Sequence, residues 1–300
     1  MTATFTCEQC GASLACDGVR TATCPYCASP SFVERPPSPD HVDASFVVPF
    51  SFDEAGARTR LAAWLGSRSL FVDRRVVRAA ILDLRGVYLP AYLYSAVART
   101  AYTATIGEHY SETEEYEATG ADGKPEKRTR TVTRTEHCPL AGRHVGYVTD
   151  VVVSASTGLP DRELAAIEPF DLRQLRRFAP SFITGWITEE FGRSRDACQP
   201  ASRDEALEEV GARLRGFMPG DSHSDLDWRT SVAWEALDPL YVPVWVIALR
   251  HRPDRPALRV VLNGQTGTAT GTLPLSPLRI ALAVLLVAAI AAAIVLGVRR

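Results

Sequence analysis

The sequence has no surplus of positive charge: 33 Lys and Arg stand against 35 Asp and Glu, for a formal net charge of -2. Bulk binding to nucleic acid relies on such a surplus to replace phosphate counterions, so it is not expected. The common catalytic signatures are also missing. There is no His-Glu-x-x-His, no Gly-x-Ser-x-Gly and no phosphate loop with a following Lys-Ser or Lys-Thr, and the 6 histidines are scattered. The opening MTATFTCEQC has neither a basic start nor an apolar run, so no secretory leader is expected. Cysteine is too scarce for a disulfide framework: the total is 7, an odd number, and four of them fall in two tight pairs.

Those pairs are the clearest positive feature. Cys7-x2-Cys10 and Cys24-x2-Cys27 have the spacing of a four-cysteine site, each pair forming a knuckle that points two thiolates at one ion. Cys7, Cys10, Cys24 and Cys27 are therefore the expected metal ligands, with Zn2+ as the cofactor and an iron or redox site as the other reading. Gly11 can supply the backbone angle a knuckle needs, and Pro25 stiffens the second one. Leu14 to Thr23 can form a hairpin about Asp17-Gly18, while Cys16 reads as a bystander. Four thiolates close the coordination sphere, which makes the site structural and not catalytic.

At the far end, Ile280 to Val298 is an uncharged apolar run that at ~1.5 Å per residue would span about 28 Å. It is expected to be a single transmembrane helix, with a buried core helix as the alternative. The flanking arginines do not orient it, so the reducing compartment that the thiolates require places the bulk of the chain in the cytoplasm. The expected organisation is a zinc ribbon over 1–34, a proline-rich linker over 35–44 that lets the ribbon move, an α+β domain over 45–273, a short linker over 274–279 and the membrane helix over 280–298.

Within the body, Asp53 to Leu65, Asp73 to Leu84, Asp161 to Ile167, Leu172 to Phe178 and Ser202 to Phe217 carry helical periodicity, with Gly66 and Gly86 as stops. The stretch after Gly86 and Leu240 to Leu262 read as strands, with Pro90 at an edge or bulge. Tyr88-Leu-Pro-Ala-Tyr-Leu-Tyr94 is echoed by Tyr241-Val-Pro-Val-Trp-Val-Ile247, an internal repeat read as a duplicated core strand. A pocket lined by Tyr92 or Trp245 is the sharper alternative. Lys124, Lys127, Arg128, Arg130 and Arg134 form a basic run facing Glu108, Glu112, Glu114, Glu115 and Glu117 across a Gly120–Gly123 turn, which reads as internal neutralisation. Asn263 to Gly267 reads as a hairpin turn. His137, Cys138 and His144 form a candidate second metal or thiol site, and His223-Ser-Asp225 a polar loop. Packing and solvation are the plainer readings of both.

The chain resembles a bacterial family of transcription-factor-IIB-type zinc-ribbon membrane proteins, often mislabelled as relatives of primosomal protein N′. The resemblance rests on Cys7-x2-Cys10-Gly11, Cys24-Pro25-Tyr26-Cys27, Val48-Pro49-Phe50, Gly86-Val-Tyr-Leu-Pro90, Tyr241-Val-Pro-Val-Trp245, Asn263-Gly-Gln-Thr-Gly267 and the terminal apolar segment. It implies a non-enzymatic accessory protein at the bacterial inner membrane that contacts the lipid bilayer and recruits partner proteins, flotillin-like (SPFH) proteins among them. The expected function is a membrane-anchored adaptor. A nucleic-acid-binding regulator or replication accessory that uses the ribbon is the alternative.

Overall fold

In the computed structural model the described residues are 2–7, 9–17, 24, 26–27, 32–35, 42–68, 72–119 and 125–298. The chain begins with β1 (Thr2–Cys7), β2 (Ser13–Asp17), β3 (Phe32–Arg35) and β4 (Phe46–Val47), then α1 (Glu54–Ser67) and the one-turn α2 (Arg74–Val77). Two long strands, β5 (Ala80–Thr119) and β6 (Pro125–Ser154), precede α3 (Asp161–Ala165), β7 (Arg176–Arg177), β8 (Ile187–Glu189) and α4 (Arg195–Gly216). The last elements are β9 (Ser222–Arg250), β10 (Leu258–Asn263), β11 (Ala269–Gly271) and α5 (Pro277–Val298).

Among the described residues strand outweighs helix, 48% against 25%, and the strands join a large mixed sheet. The α+β expectation is thus corrected to a mostly β architecture. Much of the difference lies in β5, β6 and β9, of 40, 30 and 29 residues. Their Thr, Val, Ile and aromatic content suits a pleated surface, and they continue through residues that read as breaks. Gly86 is one of these. It lies inside β5 because the ring of Trp186 fills the place of its side chain: a Cβ there would lie 2.3 Å from Trp186 Cζ3. The segment 73–84 yields only the short α2 before β5 begins, and Leu172 to Phe178 yields one 3-10 turn and β7. By contrast α1 forms where expected. Asp53 caps it by accepting from Gly56 N at 2.9 Å, Glu54 occupies the first turn, and Ala57, Leu61 and Leu65 bury one face at helical spacing.

The chain divides into two units. Unit 1 comprises Met1–Leu93, Val152–Pro200 and Leu237–Arg300. The sheet order β11-β10-β9-β5-β8-β2-β1-β3 mixes antiparallel neighbours with parallel pairing of β5 to β8, Val87 opposite Ile187. The two echoing stretches are buried on both faces, from Val87 to Tyr92 and from Leu240 to Leu249. Trp245 packs against Phe50, at 5.2 Å between ring centroids, and against Trp186 at 5.8 Å, and is 4% exposed. These aromatics are core. Asn263 to Gly267 forms the expected hairpin turn between β10 and β11, but the positive φ, +81°, falls on Gly267, while the Asn263 carboxamide accepts from Gln265 N and Thr266 N and donates to the Ile167 and Pro169 carbonyls.

The ribbon strands belong to this unit. β1 pairs with both β2 and β3, and β2 pairs with β8, Leu14 opposite Glu189 and Ala15 opposite Thr188. The expected moving ribbon is instead stitched to the main sheet by backbone hydrogen bonds. Most of the linker and the Asp17-Gly18 turn lie outside the described residues.

Unit 2 comprises Tyr94–Val151 and Ala201–Ala236. It is built from stretches of β5, β6 and β9 with most of α4 laid on one face. Phe217 meets Tyr102 edge to face at 6.2 Å, Trp228 fills the space beside Gly211, and Arg213 donates to the Tyr147 carbonyl at 2.9 Å.

The C-terminal helix requires a second correction. Arg279 donates to the Val72 carbonyl at 3.2 Å, and Val72 bridges to Leu275, so the start of α5 is fastened to unit 1. No helix among the described residues is long and apolar enough to cross a membrane. The transmembrane helix over 280–298, the tail anchor and the single-pass placement at the inner membrane are corrected on that ground.

Candidate metal centre

The N-terminal cysteines meet because two tight turns aim them at one point. After β1, Gly11 N donates to the Cys7 carbonyl at 2.9 Å and Cys7 N to the Ala12 carbonyl at 2.8 Å. That turn needs a left-handed residue, and Gly11 has φ +74°. Cys24 and Cys27 close the other side. Cys7 Sγ lies 3.6 Å from Cys27 Sγ, Cys10 Sγ lies 3.6 Å from Cys24 Sγ, and all four sulfurs fall within 4.8 Å of one another. Four sulfurs at ~2.3 Å from a tetrahedral ion would stand about 3.8 Å apart, so the cluster can bind a metal ion.

The electrostatics agree. The hydrogen bond between Cys10 and Cys24 pulls the Cys10 thiol down to about 5 and pushes Cys24 up. One thiolate forms readily among the four and resists the next; a bound dication removes that conflict by stabilising all of them. Cys7 and Cys24 are 1% and 0% exposed, so the ligands are part of the hydrophobic core of unit 1 together with Val48, Leu89 and Val152.

Beneath the knuckles is a buried carboxylate that sequence reasoning missed. Glu189, at the end of β8, is 0% exposed. It accepts the hydroxyl of Tyr26, the Ser156 hydroxyl at 2.7 Å, Thr157 N at 3.0 Å and Gly158 N at 3.2 Å. Thr157 also donates to the Gly11 carbonyl at 3.2 Å, so the 154–159 loop holds both knuckles. Burial raises the Glu189 carboxyl, and the four donors oppose that shift. Burial, and then the charge of Glu189, raise the Tyr26 phenol well above its ordinary value. One of two adjacent acids in Ile-Thr-Glu-Glu gives no pattern to read; only the β2–β8 pairing reveals its role.

The other sequence candidates do not converge. Among the described residues, the metal-capable group is Cys7, Cys10, Cys24 and Cys27 alone. Cys138 is exposed, and the His144 ring lies 5.0 Å from that of Phe217. In the charged hairpin Arg130 pairs with Glu114 at 3.1 Å, Arg134 with Glu112 at 2.8 Å and Lys127 with Glu115 at 3.6 Å. Lys127, Arg130 and Arg134 are thus engaged by cross-strand acids and Arg128 by Glu126 of its own strand, while Lys124 lies outside the described residues. Its expected turn lies outside the described residues.

No family model matches the chain. No solved structure matches it either. Among curated proteins it is similar to the Bacillus subtilis (strain 168) "Uncharacterized protein YdjG", 22% identical over 242 residues that cover 79% of this chain and 65% of that protein. The chain thus spans under two thirds of that relative's length, and a likeness at this level assigns neither a family nor an activity.

Proposed function

We propose that this protein is a non-enzymatic adaptor that binds partner proteins, with Zn2+ held by Cys7, Cys10, Cys24 and Cys27 as a structural staple. The observation that carries the reading is the clustering of four thiols, two buried and two half-buried, on a floor of hydrogen bonds. Four thiolates leave no coordination position open for a substrate, and the set suits zinc. The ion would fix the knuckles, and through Tyr26 and Thr157 it would fix the ribbon onto β8. A rigid surface presented in this way is what an adaptor needs. The resemblance to the transcription-factor-IIB-type zinc-ribbon family supports the same reading and makes flotillin-like (SPFH) proteins the first partners to try. The nucleic-acid alternative draws less support, because Lys127, Arg128, Arg130 and Arg134 are engaged by glutamates.

The test combines metal analysis with partner capture. Purified protein should carry one zinc per chain and lack the visible absorption of an iron-thiolate centre. A Cys24→Ser variant should lose both the zinc and the partners retained by the wild type. A chain that retains its partners without metal would remove the staple from the reading, and one that retains none under any condition would remove the adaptor.

A further inference from the structure

The unit 2 sheet has one face covered by α4 and one open. Tyr102 and Trp228 point to α4, so their strand neighbours Ala101, Thr103, Asp227 and Arg229 point the other way. There they line an open cavity of about 560 Å³ together with Ala141 and Arg143. The register follows from side-chain contacts. The Thr100 and Thr230 hydroxyls lie 2.9 Å apart, and a Cβ on Gly142 would meet the Tyr102 ring. Arg229, Ala101 and Arg143 therefore form one row across β9, β5 and β6, and Ser231, Arg99 and Val145 the next. Strands are ~4.8 Å apart, so the two outer arginines of the first row stand roughly 10 Å from each other, with only a methyl group between them. Arg99, Arg143 and Arg229 are exposed, and no ion pair among the described residues engages any of them.

The same face carries two bare aromatics. Tyr147 is 74% exposed and Trp234 is 82% exposed. Trp234 has φ +57°, a conformation that side-chain-bearing residues rarely adopt in a strand, which marks a bulge in β9. Its neighbour Glu235 is turned to the covered side, where it accepts the Tyr94 hydroxyl at 2.8 Å and pairs with Arg203 of α4. The indole therefore faces outward. A strained backbone that presents a tryptophan to water, beside unpaired arginines, has the composition of a binding hot spot.

We propose that this face binds an acidic polypeptide segment of a partner protein. Its carboxylates would pair with Arg99, Arg143 and Arg229, and its apolar side chains would cover Trp234 and Tyr147. Asp227 decides between a peptide and a nucleic-acid strand. In the same trough it repels any anion, but a polypeptide can space its carboxylates away from it and meet it with backbone N–H donors, whereas a strand's phosphates recur at every nucleotide, and three arginines do not make the extended basic stripe that a phosphate backbone follows. The proposal rests on the adaptor reading for a protein partner, but its surface consists of unit 2 residues alone.

The test is fluorescence anisotropy on the full, zinc-loaded chain with three labelled probes: a peptide alternating Glu with Leu and Ser, the same peptide with Gln for Glu, and an oligothymidylate of equal charge. The Glu peptide should bind at least ~10-fold more tightly than the Gln peptide and weaken with salt. The triple substitution Arg99→Ala, Arg143→Ala, Arg229→Ala should weaken it by ~10-fold or more, as should Trp234→Ala, while Trp234→Tyr retains most of the binding. Arg130→Ala, at a position already paired, should leave it unchanged. Equal binding of both peptides, unchanged binding by the triple variant, or tighter binding of the oligothymidylate would overturn the proposal. Partner capture that persists when the peptide fails would leave the adaptor intact and move its surface elsewhere.

Discussion

Tyr26 shows how much a single side chain can link. It stands between two cysteines of the cluster, Cys24 and Cys27, yet its hydroxyl bonds to a carboxylate 163 residues further along the chain. Removing that hydroxyl in Tyr26→Phe leaves Glu189 short of a donor in a site without water access, at ~1–3 kcal/mol. Urea unfolding should show the loss, and zinc transfer to a chromogenic chelator should quicken. Glu189→Gln separates charge from shape. Burial raises the Glu189 carboxyl above 4.5, so the folded state holds its proton more tightly than the unfolded chain. The group's contribution is thus complete below the unfolded value and falls away as pH rises through the folded one. Relative to Glu189→Gln, the wild type should lose stability as pH rises above the ordinary carboxylate range, measured by paired urea titrations. A flat difference would mean that the donors fully offset burial. Cysteine substitutions should divide cleanly: Cys24→Ser abolishes zinc, whereas Cys138→Ser, on an exposed residue, leaves one ion per chain.

The elements separate what a sequence displays from what it hides. The cysteine cluster was legible because knuckle spacing is local chemistry, and α1 because its cap, first-turn acid and buried stripe all fall within Asp53 to Leu65. Glu189 and the arginine rows were not legible, since each takes its meaning from strands that meet only after folding. Gly86 was misread for the same reason. It resembles a helix stop until Trp186, stacked at 4.1 Å on Phe50, comes to rest against it. Gly86→Ala should therefore destabilise by ~1–3 kcal/mol through overpacking. Pairing it with Trp186→Leu should recover part of that loss in a double-mutant cycle, because the clash needs both partners. Simple additivity of the two changes would show that the glycine serves some other purpose in β5.

For the molecule as a whole, the cysteine cluster and the sheet are one structure. Stripping the ion should raise amide exchange through β1, β2, β3 and β8 together, because β2 is held by β8 on one side and carries a ligand turn on the other. Exchange confined to the cysteine turns would instead indicate that the strands hold without metal. The distance along the chain between the knuckles and their floor also sets an order of events at the ribosome. The thiols emerge early, while Glu189 follows Tyr26 by 163 residues, several seconds or more of synthesis at ~5–20 residues per second. Throughout that interval the newborn cysteines have no floor to rest on and stay open to oxidation or to a wrong ion. Protein made in cells short of zinc should therefore hold less than one ion per chain, and zinc supplied only after synthesis should not restore the full complement, as metal analysis of the purified chain would show.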